Sequence, residues 1–136
     1  MTAPTSRPLS PHLTIWKWGP HMLVSILHRV TGSALTFGGL ALLTWWLLAL
    51  AGGAPAYEQF VSFVTYEVVR IPIVLVALVG LTWAFWQHFF SGLRHLFMDM
   101  GAGYELKVNR LISVMTIAAA LFATAATWFV LMGVNR

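Results

Sequence analysis

The stretch IPIVLVALVGLTWAFWQHFF, residues 71–90, decides the fold of this chain, because twenty residues follow one another there without Asp, Glu, Lys or Arg. A helix rises about 1.5 Å per residue, so a run of this length crosses the roughly 30 Å of hydrocarbon in a bilayer. Two further runs have comparable length and hydropathy. The sequence therefore predicts three membrane-spanning helices, over about 22–51, 71–100 and 111–132.

The composition supports this all-α membrane fold. Of the 136 residues, 59% are apolar and only 9% are charged, whereas a soluble domain carries about 25% charged residues. Seven Trp and nine Phe agree with a membrane location, since amphipathic aromatic rings favour the membrane interface. The chain is predicted to be one domain, residues 1–136. A bundle of three helices has little interior, so its buried polar groups are expected to need a neighbouring chain.

The remaining segments predict surface structure. Residues 1–21 contain four prolines and precede the first apolar run. This order favours an extended polar arm rather than a cleavable signal peptide. Residues 52–70 contain Gly, Pro, Tyr and two Glu and predict a loop or an interfacial segment.

The distribution of Lys and Arg predicts the orientation of the chain. Six of the eight fall on one side of the membrane and two on the other: Arg7, Lys17, Arg29, Arg94, Lys107 and Arg110 against Arg70 and Arg136. The positive-inside rule then places the N-terminus in the cytoplasm and the C-terminus in the periplasm. Topology thereby explains the net charge of +4, and no basic stripe suggests a nucleic-acid partner. The absence of cysteine excludes thiolate metal sites and thioether-linked haem in this chain.

The first polar cluster inside a predicted span is SILHRVTG, residues 25–32. On a helix, one face carries Ser25, His28, Arg29, Gly32 and Thr36. A hydroxyl and a guanidinium one turn apart can both donate hydrogen bonds to a ligand oxygen. Alternatively, Arg29 extends to lipid phosphates and His28 is merely interfacial. The small residues beneath the charge count against that alternative.

The second cluster is HFFSGLRHLFMD, residues 88–99. If the helix continues to a C-cap at residue 101, one stripe carries His88, Ser91, Gly92, His95 and Asp99. Neutral imidazole is a common axial ligand of haem iron, and Gly92 would let a flat macrocycle approach the backbone. The alternative is a histidine hydrogen-bonded within the bundle, and the pattern alone leaves both open.

The positions of the five histidines limit the number of haems. Only His88 lies deep in a predicted span, whereas His28 and His95 lie nearer its surface. A dihaem cytochrome in one chain would need four histidines in the membrane. At most one haem is therefore expected, with its second ligand supplied by another subunit.

Three segments together resemble the signatures of one family. They are RPLSPHLTI at 7–15, SILHRVTG at 25–32, and the pattern His88…SGLRHL…Asp99…Gly101. In this order and spacing they resemble the cytochrome b556 subunits of succinate dehydrogenase (respiratory complex II), in the alphaproteobacterial and mitochondrial branch. The resemblance extends over the whole chain.

The resemblance implies a membrane anchor in a heterotetramer of the bacterial inner membrane. Its partners would be a flavoprotein, an iron-sulfur subunit and a second membrane anchor, and its ligands haem b and ubiquinone. His88 resembles the axial ligand of a haem b shared by the two anchors. Ser25 and Arg29 resemble quinone-site residues. His28, Arg29 and more weakly His95 resemble residues near the haem propionates, with Gly92 beside the macrocycle.

Two alternatives remain at this stage. The chain could be the anchor of a fumarate reductase that works with menaquinol, because the sequence does not determine the direction of electron flow. It could also be a haem-free structural or transport bundle, which would be colourless. Whether the resemblance points to succinate dehydrogenase or to fumarate reductase, we expect the chain itself to hold no site for flavin or a dicarboxylate and not to oxidise succinate.

Overall fold

Helices form every regular element in the computed structural model, which describes residues 16–65 and 73–134. The predicted all-α fold is confirmed, as are three helices long and apolar enough to cross a membrane. The predictions for the RPLSPHLTI arm, Arg70 and Arg136 concern residues outside the described ranges.

The first span, Pro20–Ala51, is interrupted by a π-helical turn. Helix α1 is Pro20–Ala34, the π turn is Leu35–Gly39, and helix α2 is Leu40–Ala51. The helix begins two residues before the predicted start at residue 22, because the fixed φ angle of proline suits a first helical turn.

A short helix follows the first span, in the segment predicted as a loop or interfacial. Helix α3, Ala54–Val64, starts after Gly53, whose φ of 77° is a left-handed conformation that glycine adopts without strain. The indole of Trp45 on α2 lies 5.3 Å from the ring of Phe60 and 4.8 Å from that of Phe63. These contacts fold α3 back against α2.

The second and third spans are α4, Ile73–Asp99, and α5, Leu106–Val134. They are joined by a tight connection in which Gly101 and Gly103 both have positive φ. Because α5 starts at Leu106 rather than at residue 111, Lys107 and Arg110 belong to its first turns and not to the connection.

Helices α1, α4 and α5 pack against one another and form the bundle. Its described interior is small and largely polar. Besides Ala49 on α2, the buried side chains of the described residues are Val24, Ala84 and Ala120 together with Thr31, Gln87, Ser91, Arg94, Ser113, Thr116 and Thr124. Most large apolar side chains point outward instead. This distribution fits a bundle whose outer surface meets lipid or other chains.

Candidate functional site

Three histidines from two helices meet at one end of the bundle. The imidazole rings of His28 on α1 and His88 on α4 stack with centroids 4.0 Å apart and planes 6° from parallel. The ring of His95, two turns further along α4, lies 4.9 Å from that of His28. The sequence placed His88 and His95 on one stripe of α4 but did not place His28 between them. The structure brings all three together.

One ring nitrogen of His88 is held by the backbone of α1. Its Nδ1 lies 3.1 Å from the carbonyl oxygen of His28 and 3.4 Å from the hydroxyl oxygen of Thr31. The Thr31 hydroxyl itself donates to the carbonyl of Leu27 at 2.7 Å. Because a carbonyl oxygen only accepts, Nδ1 carries the hydrogen and Nε2 keeps the lone pair. Within the described residues, Nε2 has no hydrogen-bond partner, so it is the nitrogen available to a metal.

The glycine that touches His88 is Gly32 of α1. A Cβ atom at Gly32 would lie 2.9 Å from Cε1 of His88, closer than van der Waals contact permits. A Cβ atom at Gly92 would lie 4.0 Å from Cε1 of His28 and would fit without movement. Of these two glycines, Gly32 is therefore the one whose backbone lies in close contact with a histidine ring. The role of Gly92 beside a macrocycle stays a prediction.

His95 is also oriented by a backbone carbonyl, but by one of its own helix. Its Nδ1 lies 2.7 Å from the carbonyl oxygen of Ser91 and donates to it. The Ser91 hydroxyl is fully buried and finds no partner in the described part of the chain. The same holds for the buried Nδ1 of His28. The histidine cluster thus contains polar atoms that a ligand or a water molecule can still satisfy.

Ser25 and Arg29 lie one turn apart on α1, as the sequence predicts for a helix. Ser25 is half-buried and Arg29 is exposed. No hydrogen bond joins their side chains, although both lie in the described part of the chain. Arg29 is therefore free to reach a ligand, a lipid or a partner chain, and a role for the pair in quinone binding stays a prediction.

Two polar residues of the interior were not singled out as functional from the sequence. Gln87 is fully buried, and both polar atoms of its amide lack partners among the described residues. Arg94, considered only as a charge that sets topology, is 6% exposed and donates to the side-chain oxygen of Asn109 on α5. The visible signal was the position of Arg94 inside a predicted span, where an ionisable residue is costly.

The described part of the histidine cluster is not arranged to hold a metal ion by several side chains at once. No group of three or more His, Cys, Asp or Glu in the described ranges could hold a metal ion together. Stacked rings such as those of His28 and His88 present their faces to each other, so their nitrogens do not converge on one point. A metal bound at Nε2 of His88 would need its other ligands from a macrocycle and from another chain.

Comparison with known proteins agrees with the resemblance of the motifs. The family model described as succinate dehydrogenase/fumarate reductase transmembrane subunit matches residues 3–127. The succinate dehydrogenase cytochrome b556 subunit of Paracoccus denitrificans is 37% identical over 125 residues, 92% of each chain. That of Rickettsia felis is 34% identical over 122 residues, 90% of each chain. The mitochondrial cytochrome b560 subunit of Mus musculus is 33% identical over 120 residues, 88% of this chain and 69% of the relative.

Proposed function

This chain belongs to the family of succinate dehydrogenase/fumarate reductase transmembrane subunits, and from that premise we propose that it ligates haem b through His88 and helps to form a ubiquinone site. The relatives named as cytochrome b subunits support the haem assignment. Three spanning helices make the chain a membrane subunit, and it anchors the catalytic subunits rather than oxidising succinate.

The observation that carries the proposal is the orientation of the His88 ring. Hydrogen bonding of Nδ1 to the carbonyl of His28, at 3.1 Å, leaves Nε2 as the unprotonated nitrogen. Metal-bound histidines commonly donate their other N–H to a carbonyl, which fixes the tautomer and the plane of the ring. Haem b, when bound, supplies a one-electron carrier near the quinone. This chain would hold the haem iron through Nε2 of His88, with the ring kept in one orientation by the carbonyl of His28.

The second axial ligand is proposed to come from the other membrane anchor. His28 stacks on His88, so its nitrogens do not converge with Nε2 of His88 on one point, and a further protein ligand would have to come from another chain. His28 and His95 would instead hydrogen-bond to the carboxylate groups of the macrocycle, as an imidazole can. The exposed apolar surface of the bundle leaves room for a second anchor, and an iron-sulfur subunit and a flavoprotein would complete the assembly.

Ser25 and Arg29 are proposed to bind ubiquinone near the same end of α1. Reduction of a quinone places negative charge on its oxygens until protons arrive. A hydroxyl and a guanidinium that donate to one of these oxygens would stabilise that charge in a poorly hydrated site. Arg29 is exposed on this chain and can contribute to a site formed between subunits.

The membrane is proposed to be the inner membrane of a bacterium, with the histidine cluster toward the cytoplasm. In this orientation Arg29, Arg94 and the basic start of α5 all lie on the cytoplasmic side, as the positive-inside rule expects. Electrons delivered by a cytoplasmic iron-sulfur subunit would reach the quinone at the same end of the bundle.

The test compares His88→Ala with His95→Ala in the assembled complex. A haem with two imidazole ligands is six-coordinate and low-spin, and gives sharp bands in a reduced-minus-oxidised spectrum. His88→Ala should lose the haem, make it high-spin, or shift its midpoint potential through a substitute ligand. His95→Ala should have a milder effect, because residue 95 lies about 10 Å further along α4.

Thr31→Val is a second variant that tests the surroundings of His88 without removing its imidazole. It removes the hydroxyl near Nδ1 of His88 but keeps the shape of the side chain, so the haem should be retained with a changed potential. If His88→Ala keeps the wild-type spectrum and midpoint potential while His95→Ala loses the haem spectrum, the ligand is His95 and not His88. A colourless wild-type complex would refute haem binding altogether.

A further inference from the structure

A groove runs along the outside of the bundle between α4 and α5. Near the Arg94 end it has a volume of about 300 Å³, and its walls are mainly apolar, with Phe90 and Phe97 on α4 facing Ile112, Met115 and Ala119 on α5. A second groove of about 640 Å³ continues toward the other end of the bundle and shares Phe90 and Ala119 with the first. Together they form one long apolar groove on the outer surface of the bundle.

Arg94 is one of the residues that line the first of these grooves. Among the described residues, its hydrogen bond goes to the neutral amide of Asn109, and its Nε has no partner. With the side chain only 6% exposed, this charge is largely removed from water and is not matched by a carboxylate hydrogen bond. A buried unpaired charge is costly, so an anion at this end of the groove would stabilise the bundle.

The start of α5 adds positive potential at the same place. Asn109 is the fourth residue of this 29-residue helix, and its own backbone N–H donates to the carbonyl oxygen of Glu105 at 2.8 Å. The N–H groups of the three residues before it have no partner within the helix. The N-terminus of a helix carries about half a positive charge. Asn109 thus lies where the guanidinium of Arg94 and the N-terminus of α5 both contribute positive potential, beside the apolar groove.

The groove faces away from the histidine cluster. At about 100° per residue, Trp86, Phe90 and Phe97 lie roughly 160–200° around α4 from His88. A partner chain that shares a ligand with His88 would therefore cover the opposite side of α4. The groove is left to the lipid of the membrane.

We propose that the groove between α4 and α5 holds one phospholipid, with its phosphate on Arg94 and an acyl chain along Phe90 and Ala119. Arg94 lies five residues from the end of α4, which is about 7.5 Å along the axis, and long basic side chains near helix ends reach the phosphate level. A phosphodiester would neutralise the guanidinium and accept from its free N–H groups. The choice of a lipid rather than a partner helix as the occupant rests on the proposed ligand at His88, whereas the unpaired charge of Arg94 does not.

The experiment counts the phospholipids retained by the purified membrane assembly that contains this chain. The assembly is washed with detergent, and bound phospholipid is measured by native mass spectrometry and by phosphorus content. Arg94→Gln removes the charge, and Ala119→Phe fills the groove where its two parts meet. The matched controls are Arg110→Gln, an exposed cation of α5, and Ala118→Phe, the same added bulk on an exposed neighbouring position.

Wild type and both controls should retain one more tightly bound phospholipid per assembly than Arg94→Gln and Ala119→Phe. Arg94→Gln also loses the bond to Asn109, so it can fail to assemble for that reason alone. In that event the comparison of Ala119→Phe with Ala118→Phe decides. Equal retention in those two variants overturns the proposal, as does a helix of another subunit found in the groove of the complex.

Discussion

At His88, a backbone carbonyl rather than a side chain determines which ring nitrogen is available. The carbonyl of His28 cannot be removed by substitution, so the orientation of His88 depends on how closely α1 and α4 approach. Gly32 permits that approach, because a Cβ atom there would lie 2.9 Å from the imidazole. The smallest residue of the first motif therefore supports the proposed ligand of the second.

Gly32→Ala should disturb the ring of His88. Overpacking a close contact typically costs about 1–3 kcal/mol, which outweighs the gain of up to about 1 kcal/mol from replacing glycine by alanine in a helix. The control is Gly80→Ala on α4, where a Cβ atom meets nothing within 4 Å. We expect a lower thermal midpoint and an altered haem spectrum for Gly32→Ala only. Identical behaviour of the two variants would contradict the close contact.

Arg29→Leu should separate quinone chemistry from succinate oxidation. Loss of a charged hydrogen-bond donor costs about 1.5–3 kcal/mol, or roughly 10- to 150-fold in rate if the bond forms in the transition state. Quinone reduction by the assembled complex should fall by this factor, while succinate-dependent reduction of a dye acceptor persists. Arg110→Leu, at an exposed arginine of α5, should leave both activities intact. Wild-type quinone reduction in Arg29→Leu would mean that Arg29 only contacts lipid.

At the scale of the helices, hydrogen bonds between spans are few in the described ranges, so each one is informative. The indole nitrogen of Trp86 on α4 donates to the hydroxyl of Thr127 on α5 at 3.1 Å. One turn earlier, the buried indole nitrogen of Trp83 finds no partner in the described residues. The two tryptophans thus offer a matched pair on one helix.

Trp86→Phe should destabilise the packing of α4 on α5 by about 0.5–1.5 kcal/mol beyond the effect of the smaller ring, since a hydrogen bond is lost. Trp83→Phe removes a buried donor that has no protein partner, so it should cost less or even stabilise. The measurement is the thermal midpoint of the purified assembly in one detergent. A larger loss for Trp83→Phe would imply that its indole binds a group outside this chain.

At the scale of the whole molecule, the asymmetry of the charges predicts the orientation in the membrane. The connection that precedes α5 should face the cytoplasm, and the start of α3 should face the periplasm. Single cysteines test this directly, because the chain has none of its own. In intact cells without an outer-membrane barrier, an impermeant maleimide should label Ala54→Cys and leave Tyr104→Cys unlabelled. The reverse pattern would invert the proposed topology.

Much of the fold follows from local properties of the sequence. Three long apolar runs predict three spanning helices, because backbone groups in hydrocarbon must be satisfied within the segment itself. The α-helical period likewise placed His88 and His95 on one side of α4. The local signals were weaker at the ends: Pro20 lengthens α1, α5 begins five residues early, and residues 54–64 form a helix of their own.

Only the tertiary structure decided how the two motifs meet. His28 and His88 are sixty residues apart, and whether their rings touch depends on the register between two antiparallel helices, which no local pattern specifies. The same register brings Gly32, which has no Cβ, against the ring of His88. The packing of α5 on α4 buries Arg94 beside Asn109. Hydropathy determines that a helix crosses the membrane, but it carries no information about rotation around the helix axis. Close packing of small and polar side chains between the helices determines that rotation, and with it the candidate site.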